Sequence, residues 1–183
     1  MHIKQAVQVV LTSVCFALVG YGIGYGRHTE PAVEVRYIHN DIINEVIVLE
    51  SQQCIDNLDC MLLAEAIYYE ARGEPLQGQI AVAHVILNRV HSSYHPNSIS
   101  SVIGKHCQFS YRCDGSTRKG ITNVATFQTA LKVASKVLAG EYTDPTNGAD
   151  HYFNPSKMNV DPDWSNEYSR VAKIGQHVFH KRG

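Results

Sequence analysis

The sequence has no surplus of basic charge: 16 Lys and Arg stand against 17 Asp and Glu, a formal net charge of −1. Nucleic-acid binding normally leaves a basic stripe and a strongly positive domain, so DNA and RNA are not expected as partners. No internal repeat or low-complexity tract is present, which excludes solenoids and propellers. There is no Gly-x-Ser-x-Gly elbow, so an α/β-hydrolase serine nucleophile is ruled out. There is no His-Glu-x-x-His, and neither Cys54 with Cys60 nor Cys107 with Cys113 has zinc-knuckle spacing. His91 with His95 straddles a loop, and His177 with His180 alternates with Val178-Phe179 in a strand-like run. No metal and no cofactor are therefore expected.

What is present fits one globular domain with appendages: 183 residues, 44% hydrophobic. The appendages come first. His2 and Lys4 precede an uncharged run from Gln5 to Gly26, closed by Arg27. A run of about 20 residues can cross a hydrocarbon core. Residues 1–27 read as a signal anchor or a signal peptide, with membrane contact through residues 5–26. The Gly20-to-Gly26 end supplies small residues but no Ala-x-Ala cleavage site. Residues 28–53 form an acidic tether, with Glu30, Glu34, Asp41, Glu45 and Glu50 against Arg36 alone.

Export agrees with the cysteines. Locally paired cysteines in an exported chain read as small disulfide loops, and Cys54–Cys60 with Cys107–Cys113 is the favoured pairing among three connectivities. Cys15 is left over.

The domain proper, residues 54–183, centres on Leu62 to Val90. A helix is expected from about Cys60 to Ala71, capped by Asp59, with Leu62, Leu63, Ala66, Ile67 and Ala71 on its apolar stripe. Glu70 lies on or beside that stripe, where a carboxylate loses its water, and Glu65 is expected to be solvated. Gly73 is read as a left-handed stop, Pro75 as the first turn of the next helix, and Glu74 as an electrostatic cap for it. Ile80 to Leu87 is apolar almost all round, the pattern of a central buried helix. After a short apolar turn at Ile99 to Ile103, another helix is capped by Asn123. Val124, Phe127, Ala130, Leu131, Ala134 and Leu138 are its expected buried face, and Gly140 its stop. The remainder reads as loops and a short hairpin. The fold class is α+β, mainly α.

Several blocks occur in a specific order: Tyr69-Glu70-Ala71-Arg72-Gly73-Glu74-Pro75, Gly78-Gln79-Ile80-Ala81-Val82-Ala83, Ile86-Leu87-Asn88-Arg89-Val90, Gln108-Phe109-Ser110, His151-Tyr152-Phe153-Asn154-Pro155 and Ile174 to Phe179. From about Asp59 onward the chain resembles the SleB/CwlJ-type cell wall hydrolases. The resemblance implies a lysozyme-like, mostly helical domain acting on the glycan strands of peptidoglycan, with Glu70 as the catalytic acid; a monomer is expected. The amino-terminal peptidoglycan-binding repeat of the family's spore enzyme is not found here, so a spore-cortex role is not expected. A domain behind a Gly-rich, weakly hydrophobic anchor is also similar to the signal-arrest-release endolysins of phages. There, Cys15 would attack the Cys54–Cys60 bond on release. The other expected setting is wall remodelling from the inner membrane or periplasm of a bacterium.

Glycosidic cleavage needs an acid that stays protonated near neutral pH, and an apolar surrounding supplies it. Hydrolysis also needs a second carboxylate, at about 5 Å for retention or about 6.5–9.5 Å for inversion. Glu74, Asp114 and Asp150 are the candidates, each with an ordinary structural reading beside it. A lytic transglycosylase needs only Glu70, which gives its proton and then takes one from the muramyl 6-hydroxyl, and this route is preferred. Gln108, Ser110, His151, Tyr152, Asn154 and Glu74 are the expected glycan contacts. A glycan-binding module without catalysis is the third reading.

Overall fold

The computed structural model describes residues 54–105 and 107–183. The expected signal or anchor segment (1–27), with Cys15, and the acidic tether (28–53) lie outside the described residues. Among the described residues no helix is long and apolar enough to cross a membrane.

Helix α1 (Leu58–Ala71) begins at Asn57, whose side chain accepts a hydrogen bond from the Cys60 N–H. The cap is therefore Asn57 and not Asp59. Asn57 is in extended backbone and its carboxamide reaches the third N–H, while Asp59 sits inside the first turn, where its charge favours the helix dipole. The Cys54–Cys60 disulfide closes the chain just upstream, and the second bond joins Cys107 to Cys113. Both expected pairings are present.

The break after α1 is tighter than its glycine suggests. Gly73 is not among the glycines with positive φ, and Glu74 N–H donates to Ala71 O at 2.9 Å in a right-handed turn. No left-handed stop is used. Pro75 lies one residue before α2 (Leu76–His91), and its carbonyl accepts from Gly78 and Gln79. Proline has no N–H to leave unpaired at such a position.

Helix α2 is enclosed as its pattern predicts. Ile80, Ala83 and Ile86 enter the main core with α1, α3 (Ile99–Gly104) and α4 (Val124–Leu138). On its other side Ala81 and Val85 meet Ala149 and Phe179 in a second cluster beneath the sheet. Asn123 caps α4 by accepting from Thr126 N–H, and Gly140 ends it at φ +74. The buried face is rotated from expectation: Val133 and Val137 are buried with Ala130, Leu131 and Ala134, while Val124 is 66% exposed. Val124 and Leu138 stand at the two helix ends, where both side chains are exposed.

The C-terminal part is an antiparallel sheet ordered β1 (His151–Phe153), β3 (His177–Lys181), β2 (Ser169–Ile174). Tyr152 pairs with Phe179, and Ala172 with Phe179 on the other side. Gly175 turns the hairpin at φ +58. The domain is thus mainly helical with one small antiparallel sheet.

Candidate active site

Glu70 occupies the last turn of α1 and is half-buried. Burial pushes its carboxyl above the ordinary range, and Asp114 adds to the rise. The Tyr152 hydroxyl, Arg89 and Lys157 pull the other way without cancelling it. The negative end of the α1 dipole acts in the same direction as burial. Tyr152 donates to Glu70 Oε2 at 3.1 Å. Burial and the neighbouring carboxylate hold that phenol far above its usual range, so it serves as a donor.

Glu74 supports this pair from behind. Its side chain is 6% exposed. Oε2 accepts the Gln176 N–H at 2.9 Å, Oε1 lies 3.7 Å from His177 Nδ1, and its backbone carbonyl accepts from Gln79 Nε2. It makes no side-chain cap bond to α2, and its carboxylate, lying beside the first turn of that helix at Gly78, clamps the hairpin. Gly175 is required there, because a Cβ at that position would run into the Glu74 carboxylate. The His177 ring meets the Tyr152 ring edge-on at 5.1 Å, carrying the clamp to the residue that touches Glu70.

The expected glycan contacts separate. Ser110 is exposed and Gln108 half-buried, in the loop closed by Cys107–Cys113. That loop seats Phe109 and Tyr111 in the core, and Tyr111 stacks on Tyr69 at 4.7 Å. Asn154 is committed to protein: Oδ1 accepts from Ser156 N–H and Oγ, and Nδ2 donates to Gln176 Oε1. His151 does not line the Glu70 side. Neighbours on a strand face opposite ways, and while Tyr152 meets Glu70, His151 packs against Trp164 and Tyr168. Glu65 is paired with Arg112 at 3.5 Å instead of being fully solvated.

The three candidate second carboxylates all have structural work. Glu74 holds the hairpin. Asp114 Oδ1 accepts the Ser116 N–H at 2.8 Å. Asp150 is buried, with Oδ1 accepting from His151 Nδ1 at 2.9 Å and from Arg182 N–H at 3.0 Å. Burial opposes the ionisation of Asp150, but the bonds from His151 and Arg182 outweigh it and hold its carboxyl below the usual range.

Arg89 was not anticipated. It is 3% exposed, its Nε donates to Asp150 O at 2.7 Å, and its guanidinium lies 5.4 Å from the centre of the Phe109 ring. Its charge favours the ionised forms of both Glu70 and Tyr152. The available signal was a fixed charge on an otherwise apolar helix.

The family described as cell wall hydrolase matches residues 73–180. The chain is 40% identical over 123 residues to a spore cortex-lytic enzyme of Bacillus cereus, covering 67% of this chain and 44% of that protein. It is 37% identical over 123 residues to the spore cortex-lytic enzyme of Bacillus subtilis, covering 67% and 37%. The chain thus spans less than half the length of these relatives. Among solved structures, the catalytic domain of the Bacillus cereus SleB protein matches with a TM-score of 0.54 and 40% identity, over 67% of this chain and 89% of that one. The catalytic domain of the germination-specific lytic transglycosylase SleB of Bacillus anthracis matches with a TM-score of 0.54 and 39% identity, over 67% and 93%.

Proposed function

Because the chain belongs to the cell wall hydrolase family, we propose that it cuts peptidoglycan glycan strands between N-acetylmuramic acid and N-acetylglucosamine as a lytic transglycosylase, with Glu70 as acid and then base. The observation that carries this reading is the Glu70 carboxyl, raised above the ordinary range by burial and bonded to Tyr152, while the other candidate carboxylates, Glu74, Asp114 and Asp150, are tied to protein groups. Glu70 donates its proton to the glycosidic oxygen as the C1–O bond breaks. The resulting carboxylate accepts the proton of the muramyl 6-hydroxyl as that oxygen bonds C1, giving a 1,6-anhydro ring and regenerating the acid. Arg89 and the Tyr152 hydroxyl favour the transient carboxylate. The name of the Bacillus anthracis relative, a lytic transglycosylase, agrees with this route.

One observation favours a second reading, hydrolysis: Asp114 is the candidate carboxylate whose charge acts on Glu70. Mass spectrometry of the muropeptides released from purified sacculi separates the two. Anhydro-muramyl ends are expected, and reducing muramyl ends would overturn transglycosylation in favour of hydrolysis. The two disulfides support action outside the reducing cytoplasm, in the cell envelope.

A further inference from the structure

Beyond the Glu70 site, on the opposite face of β1, His95, Asp150 and His151 converge from two separate parts of the chain. Nitrogen and oxygen donors of the three lie within 4.8 Å of one another. His95 Nε2 is 3.5 Å from Asp150 Oδ2, and His151 Nδ1 is 2.9 Å from Asp150 Oδ1. The side chains are 6%, 7% and 13% exposed. His95 Nε2 is fully buried, and its contact with the Asp150 carboxylate at 3.5 Å falls short of hydrogen-bond geometry. Burying a poorly satisfied polar atom is costly, and a bound ion would remove that cost.

We propose that His95 Nε2, Asp150 Oδ2 and a ring nitrogen of His151 form a binding site for a borderline transition-metal ion of the zinc class. Two imidazoles and a carboxylate are an established donor set for such ions. Donors bound tetrahedrally to zinc stand about 3.3–3.5 Å apart, so the cluster closes on an ion with ring movements on the order of 1 Å. The surroundings select among metals. Arg89 donates to the Asp150 carbonyl, and the Arg182 guanidinium lies 4.8 Å and 5.0 Å from the Tyr94 and Tyr168 ring centres. With one carboxylate in the donor set and the Arg89 guanidinium at the Asp150 backbone, calcium or magnesium, bound through charge and oxygen ligands alone, is disfavoured. An ion that bonds imidazole directly is not so dependent on the net charge. Trp164 and Tyr168 wall the His151 side. The ion would staple the loop after α2 to β1, a structural role separate from Glu70.

The test is isothermal titration of zinc chloride into the metal-stripped full chain, with cobalt chloride absorption spectra in parallel. Both are repeated on His95→Gln, His151→Gln and Glu70→Gln. One zinc per chain with micromolar or tighter affinity is expected, with visible cobalt bands of tetrahedral intensity. Affinity should weaken more than tenfold in either histidine variant and stay unchanged in Glu70→Gln. Circular dichroism confirms that each variant is folded, and Asp150→Asn serves if a histidine variant is not. Absence of zinc binding, or binding that survives both histidine substitutions, overturns the proposal, and calcium binding with equal affinity would overturn the metal class. None of these outcomes bears on the product test for Glu70.

Discussion

Tyr152 donates its hydroxyl to Glu70 Oε2 across 3.1 Å, joining a strand to a helix end 82 residues earlier. The bond favours the ionised acid, while burial of Glu70 favours the neutral one, and burial wins. Removing the hydroxyl therefore leaves Glu70 protonated to higher pH. In Tyr152→Phe, the basic limb of the pH–rate profile should move to higher pH, with a lower maximal rate because the carboxylate loses a partner. An unmoved limb would show that Tyr152 does not tune Glu70.

Glu70→Gln keeps the shape of the side chain and removes its proton chemistry. Muropeptide release should fall by about 10²–10⁴-fold, the range typical of a general acid. Sedimentation with sacculi should be unchanged. Undiminished release would remove Glu70 from its proposed role, leaving glycan binding as the domain's business.

The Glu74 clamp yields a graded prediction. Glu74→Gln keeps an acceptor for the Gln176 N–H, whereas Glu74→Ala leaves that region without one. The alanine variant should lose about 1–3 kcal/mol of stability and the glutamine variant less, read from urea midpoints. Gly175→Ala should lose about 2 kcal/mol or more, since it combines a left-handed backbone with a collision against the same carboxylate. Equal midpoints for the two Glu74 variants would contradict the clamp.

His177 sets a pH dependence. Burial holds its imidazole below the ordinary value, Glu74 partly offsets this, and Lys157 deepens it. An unfolded histidine titrates near about 6.5, so below that pH the unfolded chain binds more protons than the folded one. Stability is thus lost as pH falls through about 6.5, and in full once pH drops below the folded value. The melting temperature should be lower at pH 5 than at pH 7.5, with a smaller difference in His177→Gln. An identical difference in the variant would exclude His177 as a source.

Replacing Cys107 and Cys113 together by serine frees a short loop in the unfolded chain and should cost about 2 kcal/mol. Activity should fall further than stability alone explains, because the loop seats Tyr111 against Tyr69 beside Glu70. Full activity at a temperature where the variant is folded would show the loop to be structural only.

Much of this was legible in the sequence because the signals were local. An apolar pattern without a polar side enclosed α2 between two clusters, and Asn123 and Gly140 bounded α4. The structure departs from the local pattern where two neighbouring residues are of equally suitable type: Asn and Asp are both common caps but Asn57 alone takes the position, and Gly73 turns without positive φ. What stayed hidden depends on sequence-distant meetings. Nothing near Glu74 reveals that its partner is Gln176, 102 residues later. Nothing near His95 reveals Asp150, and the alternation that turns His151 away from Tyr152 follows only once residues 151–153 are known to be a strand.

The sheet order also fixes a sequence of events during synthesis. β3 is made after β1 and β2 yet lies between them, so neither earlier strand has a neighbour until it arrives. Tyr152 rides on β1 and His177 on β3, so the acid at Glu70 lacks its donor and its rear support while the hairpin is incomplete. Such late, long-range closure makes assembly slow relative to helix formation. Until β3 is in place, the acid at the end of α1 stands without the strand pairing that holds Tyr152 against it.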